Sequence, residues 1–156
     1  MLQLIKANIN NCSEIHNLQV KAFRKLLDKY NDFNTNPGAE SVDKVIQRMS
    51  QPFTDYYFIR LNNINIGAIR IRNEVDVCTI SPIFILPEYQ GNGYARQTII
   101  QVESLYPYTK VWNLATIKQE EKLCSLYESL GYKRTGTETR LHDNMTIIGY
   151  EKQLKL

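Results

Sequence analysis

Residues 83 to 95, Ile83-Phe84-Ile85-Leu86-Pro87-Glu88-Tyr89-Gln90-Gly91-Asn92-Gly93-Tyr94-Ala95, read as a strand that runs through a glycine-bearing turn into a helix. Ser81 to Leu86 is short, apolar and β-branched, the composition of a buried strand, and Pro87 has no amide with which to continue a ladder. Gly91 and Gly93 strip side chains from a loop whose backbone N–H groups are free to converge on an anion, and the following helix adds its positive N-terminal end. A diphosphate suits such a loop, although two glycines between strand and helix also serve as a plain connection. Two familiar phosphate loops are excluded. A dinucleotide fingerprint needs a third glycine where Arg96 stands, and a Walker loop needs Gly-Lys followed by Ser or Thr, which the chain lacks.

Upstream, Tyr56 to Leu61, Ile64 to Arg72 and Val75 to Leu86 are strand-like runs separated by the tight-turn dipeptides Asn62-Asn63 and Asn73-Glu74, so an antiparallel meander feeds the glycine loop. In the middle run Ile69 and Ile71 face one way and Arg70 and Arg72 the other, which places both arginines on a solvated or helix-edge face. Downstream, Ala95, Ile99, Val102 and Tyr106 mark a helix that stops at Pro107. Val111 to Thr116 is the next strand, parallel to its predecessor because the connection has changed to strand-helix-strand. Leu123, Leu126, Tyr127 and Leu130 form a further helical face that Gly131 terminates in a left-handed conformation. Tyr132 to Thr139 and Met145 to Lys152 close the chain as a hairpin around Leu141-His142-Asp143-Asn144.

At the other end, Leu2 to Ala7 is a first strand, and Asn11 with Glu14 forms a capping box for a helix carrying Ile15, Leu18, Ala22, Phe23, Leu26, Leu27 and Tyr30 at helical spacing. A polar loop from Tyr30 to Glu40 leads to a short helix with Val42, Val45, Ile46 and Met49 on one face. The order is βααβββαβαββ: an α/β (α+β) fold with a mixed, mostly antiparallel sheet flanked by helices. With 156 residues and no linker, repeat or low-complexity tract, a single domain over residues 1–156 is expected.

Composition narrows the class. A hydrophobic share of 43% and a charged share of 22% argue against disorder. Cys12, Cys78 and Cys124 are odd in number and widely spaced, so no disulfide framework or zinc cluster is indicated, and His16 and His142 are too few and too separate for a metal site. Reduced thiols and the lack of a long apolar run predict a soluble cytoplasmic protein without a membrane partner. The formal charge of +3 is dispersed. Lys21, Arg24, Lys25 and Lys29 share one helix face, but opposite an apolar one, as on an ordinary solvated side, and nucleic-acid binding is not expected.

Gln90-Gly91-Asn92-Gly93-Tyr94-Ala95 fits Gln/Arg-x-x-Gly-x-Gly/Ala, and with its strand it resembles the acetyl-CoA loop of the GNAT superfamily of N-acyltransferases. Leu126-Tyr127-Glu128-Ser129-Leu130-Gly131-Tyr132 resembles that family's second signature, a Leu-Tyr on a helix ending in Gly and an aromatic. The resemblance covers nearly the whole chain and implies transfer of an acetyl group from acetyl-CoA, a cosubstrate, to a primary amine of a small molecule or peptide, without metal. It assigns the pyrophosphate to the amides of Gln90, Gly91, Asn92, Gly93, Tyr94 and Ala95, with Arg96 beside them, and the pantetheine arm to backbone groups near Phe84 and Ile85. Tyr127 matches the residue that protonates the departing CoA thiolate.

Two features depart from the family pattern. Some histone-directed members carry a glutamate base where this chain has Thr79, so water-mediated removal of the amine proton is expected. Many members have Asn-x-x-Ala entering the Leu-Tyr helix, whereas this chain has Glu120-x-x-Leu123. On the acceptor side, Asp32 and Glu40 lie in or beside the polar loop as candidates for steering a cationic amine. The competing reading is a non-catalytic acyl-CoA binder or sensor. The acceptor amine and the oligomeric state, a homodimer included, stay open.

Overall fold

A computed structural model describes residues 1–154. Its centre is a seven-stranded sheet in the order β1-β2-β3-β4-β5-β7-β6, formed by β1 (Leu2–Lys6), β2 (Thr54–Leu61), β3 (Ile64–Glu74), β4 (Val77–Ile85), β5 (Val111–Ile117), β6 (Lys133–His142) and β7 (Met145–Gln153). The helices are α1 (Cys12–Tyr30), α2 (Val42–Met49), α3 (Tyr94–Leu105) and α4 (Glu121–Ser129). The order is the expected βααβββαβαββ. All neighbouring strands pair antiparallel except β4 and β5. That exception follows from the α3 crossover between them.

Strand alternation divides the core. Ile69 and Ile71 of β3 point with Ile59, Ile80, Ile99, Val102, Trp112 and Tyr127 into the cluster under α3 and α4. Ala68 points the other way with Tyr56, Phe58 and Phe84 against Ile15, Leu18 and Val45 of α1 and α2. Ile15, Val45, Ile99 and Trp112 are fully buried, and burial of such side chains is worth roughly 1.5–3 kcal/mol each.

Three local expectations are corrected. The reciprocal cap before α1 joins Asn8 and Asn11 around the single turn Ile9–Asn11, while Asn11 makes no side-chain cap to α1 itself. Helical structure thus starts a turn earlier than the Asn11–Glu14 pattern suggests. The second hairpin turns at Val75 and Asp76, because Asn73 still pairs with Cys78 and Glu74 with Val77. Val75 takes a φ of +64°, which a β-branched residue adopts at a cost. The Asp76 carbonyl accepts the amides of Lys110 and Val111, so contact with the start of β5 favours this turn over the dipeptide with the better propensity. Third, Arg70 is buried at 6% exposure whereas Arg72 is exposed. The chain leaving α2 crosses Arg70, where the Gln51 side chain meets its guanidinium.

Candidate active site

The glycine turn begins where Pro87–Tyr89 forms one helical turn after β4. The Gln90 side chain donates to the Ile85 carbonyl (2.8 Å), and the Asn92 amide donates to the carbonyls of Tyr89 (3.2 Å) and Gln90 (3.3 Å). The loop's carbonyls are therefore engaged from within. Gly91 and Gly93 both have φ of +80°, the left-handed region that a side chain penalises. A Cβ placed on either would meet nothing within 4 Å, so the loop surface is open.

Gly93 is the N-cap of α3 and offers no side-chain cap; the first amide bonded back to it is that of Gln97 (3.0 Å). Among the described residues, the amides from Gly91 to Arg96 have no protein acceptor. These are the orphan donors of a helix start, and they form a nest for an anion. Arg96 donates to the Ser129 hydroxyl (2.7 Å), which itself donates to the Leu126 carbonyl (2.7 Å), linking the start of α3 to the end of α4. Tyr94 and Ala95 pack their side chains on the main core.

Beside the nest the sheet opens. β4 and β5 pair only through Val77↔Val111, Cys78↔Trp112 and Thr79↔Asn113, yet β4 continues to Ile85 and β5 to Ile117. The Leu86 amide bonds across to the Ile66 carbonyl on β3 (2.7 Å). Alternation then turns Phe84 toward β3 and the N–H groups of Ile83 and Ile85 toward the gap. Phe84 forms the floor with its ring, edge-on to Phe23 at 5.7 Å. An extended polar chain entering this gap finds strand donors that β5 leaves unpaired, with the anion nest at its outer end.

Tyr127 lies on the buried face of α4 at 6% exposure, with its ring 6.3 Å from Tyr132 and 6.0 Å from Tyr150. Tyr132 donates to Glu103 (2.8 Å) and Tyr150 to Glu128 (2.6 Å), but the Tyr127 hydroxyl bonds to no other described residue. Burial, aided by Cys124, pushes its pKa up to about 12. It is thus a protonated donor at neutral pH. Gly131 ends the helix at φ +93°, as its place in the sequence suggests.

Glu120 accepts from Lys29 Nζ (2.6 Å) and the Tyr30 hydroxyl (2.5 Å), tying the end of α1 to the start of α4. Burial pushes its carboxyl up, but these two hydrogen bonds outweigh that and hold its pKa below the ordinary value. Leu123 packs on the main core. Nothing local in the sequence pairs Glu120 with residues 90 positions away.

On the α1–α2 side, Asp32 is 2% exposed and accepts from the Thr35 amide (3.2 Å) and the Thr35 hydroxyl; His142 Nε2 stands 3.8 Å from it. Both Glu40 oxygens meet the Arg48 guanidinium at 2.5 Å, and Gln19 adds a bond of 2.9 Å. His16 is half-buried with Nε2 2.8 Å from the Glu40 carbonyl. Thr79 closes the paired part of β4 and β5. Arg48 and Tyr56, which sequence patterning did not single out, and Arg70, expected on a solvated or helix-edge face, are buried or half-buried on this face. Among the described residues no three His, Cys, Asp or Glu side chains cluster as a metal site, and no helix is long and apolar enough to cross a membrane.

The family model described as "Acetyltransferase (GNAT) domain" matches residues 30–154. The chain belongs to the GNAT acetyltransferase family. Solved structures agree in fold. The ribosomal-protein-S18-alanine N-acetyltransferase of Escherichia coli superposes with a TM-score of 0.82 at 14% identity, covering 100% of this chain and 96% of its own. The PaiA N-acetyltransferase of Thermoplasma acidophilum, in complex with coenzyme A, gives 0.73 at 12% identity, covering 99% of each chain. A variant of the spermidine N-acetyltransferase of Vibrio cholerae gives 0.74 at 16% identity, covering 97% and 93%. No curated protein matches the sequence.

Proposed function

We propose that the protein transfers an acetyl group from acetyl-CoA to a primary amine of a small molecule or peptide. The observation that carries this reading is the gap between β4 and β5 beyond Thr79 and Asn113, leading directly into the open amide nest at Gly91 to Arg96. The donor set fits the cosubstrate: unpaired strand amides for an amide-containing arm, and helix-start amides for its diphosphate. Bound acetyl-CoA supplies the activated acyl group.

The chain's own groups do the rest. Amides from Gly91 to Ala95 hold the diphosphate, while the Gln90 amide, assigned there by the family resemblance, already donates to the Pro87 carbonyl (3.2 Å); the Arg96 guanidinium, steadied by Ser129, lies beside them. The Ile85 N–H, aimed into the gap, polarises the acyl carbonyl as the amine attacks; a preorganised dipole there lowers the barrier without reorganisation. Phe84 fixes the position of that segment through its packing on Phe23. The Tyr127 hydroxyl, protonated and without a partner among the described residues, delivers a proton to the departing sulfur and regains one from water. Thr79 offers no carboxylate, so water relays the amine proton outward. Asp32 and Glu40 shape the acceptor side by fixing the loop between α1 and α2.

Calorimetric titrations with acetyl-CoA, CoA and ATP in parallel test the reading, followed by a thiol-release screen of amines. Saturable binding of both CoA species, with ATP weaker, and turnover of at least one amine are expected. Folded protein that binds neither CoA species refutes it, and binding without turnover on a broad amine panel favours a sensor.

A further inference from the structure

Three arginines on the α1–α2 side of the sheet are unequally matched. Arg48 reaches both oxygens of Glu40, and Arg72 reaches Glu74 at 2.5 Å. Among the described residues Arg70 has no carboxylate partner: Nη1 donates to the Ser81 carbonyl (3.0 Å), Nη2 to Gln51 Oε1 (2.8 Å), and Nε is buried without an acceptor. At 6% exposure this cation is held out of water by neutral dipoles alone. Such a charge is costly unless something compensates it. The hydroxyl of Tyr56, which pairs opposite Arg70, is also buried and unpartnered, as is that of Thr54.

The location matters as much as the charge. Arg70 occupies the register break between Ile69↔Ile83 and Ile71↔Ile80, where it meets Ser81. Ser81 is two residues past Thr79, the last β4 residue paired with β5, so the guanidinium lies at the mouth of the gap. Gln51, which covers Nη2, is itself exposed and lines a cleft of about 360 Å³ with Pro52, Phe53, Thr54, Arg72 and Glu74. One neutral amide therefore separates an uncompensated guanidinium from an open cleft.

Building on the acetyl-transfer reading, we infer that Arg70 reads an anion on the acceptor, so that the acceptor is a small amine carrying a carboxylate, as an amino acid does. The carboxylate replaces the Gln51 amide oxygen and takes Nη2 and Nε together, the two-point geometry that a guanidinium offers and an ammonium does not. The Tyr56 hydroxyl donates beside it. Glu40 and Glu74 are engaged by the other two arginines, so they do not compete. A purely cationic polyamine would set like charges against Arg70.

The test measures thiol release at saturating acetyl-CoA for free α-, β- and γ-amino acids against their carboxamides, with spermidine as the carboxylate-free cation. For the preferred member, kcat/KM for the acid should exceed that for the amide by at least about thirty-fold. The α-carboxamides have the less basic amine, which works against this result and makes it stringent. Arg70→Gln should bring the acid-to-amide ratio to within about threefold of unity. Because Arg70 is buried, Gln51→Glu provides a variant of unchanged size that places an internal carboxylate on Nη2, and it should collapse the same ratio. Equal turnover of acids and amides, a preference for spermidine, or a ratio that survives Gln51→Glu overturns the inference. Calorimetry with acetyl-CoA on the same samples separates the two readings. Binding and turnover indifferent to the carboxylate refute the role of Arg70 alone, whereas absence of binding refutes the transferase reading and this inference with it.

Discussion

Replacing Gly91 with Glu, with Gly91→Ala as the control, separates the backbone role of the glycine turn from its role as an anion site. Both variants force a side chain into φ +80°, but neither Cβ meets an atom within 4 Å, so the shared cost is conformational alone. That cost is about 1 kcal/mol, a fall in Tm of roughly 2–4 °C for a domain of this size. Only the Glu variant adds a charge. At about 6 Å from a diphosphate, with an effective dielectric between those of surface pairs and water, the repulsion comes to about 1–3 kcal/mol. Acetyl-CoA should then bind about five- to 150-fold more weakly to Gly91→Glu than to Gly91→Ala. Calorimetry at low salt reads the difference, and at 1 M salt, where the screening length is about 3 Å, most of it should vanish. Equal affinities of the two variants at low salt, with matching Tm values, would refute the assignment of the diphosphate to this loop.

Tyr127→Phe should lower kcat by about a hundredfold or more while leaving acetyl-CoA affinity intact, since it removes one proton donor and little volume. With its pKa at about 12, the wild-type hydroxyl keeps its proton, and kcat should show no alkaline fall from this group below about pH 10. A matching loss of affinity would instead make the residue a packing element. Glu40→Gln leaves the half-buried Arg48 without its carboxylate and should cost about 2 kcal/mol in denaturant unfolding; unaltered stability would show that this pair does not hold the loop. Glu120 has a folded pKa below its unfolded one, so its stabilisation is present above the unfolded value and is lost as pH falls through the folded value. Wild type should therefore melt above Glu120→Gln at pH 7, and the gap should close in acid; a gap independent of pH contradicts the tie to Lys29 and Tyr30.

Features set by local chemistry were legible in the chain. The glycine turn at 91 and 93, the left-handed Gly131, the Asn62-Asn63 turn and the apolar spacing of α1 and α3 each depend on residues within a few positions of one another. The parallel pairing of β4 and β5 followed from the helix between them. Other features depended on what lies across the fold. The hairpin after β3 turns at Val75 because β5 grips the Asp76 carbonyl, and the first cap uses Asn8 because Asn11 closes a short turn before α1.

The candidate site divides along the same line. Gly91, Asn92, Gly93 and the start of α3 are contiguous, so their open amides could be read from one stretch of sequence, whereas the Gln90 amide is taken by the Pro87 carbonyl. The Tyr127 position was marked by its own helix signature, but the freedom of its hydroxyl depends on Tyr132 and Tyr150 finding acceptors elsewhere. The engagement of Glu40 by Arg48 and of Glu120 by Lys29 and Tyr30 carried no mark in either neighbourhood. Arg70 and Arg72 make the clearest case. By alternation they are equivalent, both on the polar side of β3, and the sequence alone determined that much. Only the tertiary structure decided that the chain after α2 buries Arg70 under Gln51 while Arg72 stays in water beside Glu74. Alternation fixes the face a side chain points to, but burial depends on which distant segment covers that face.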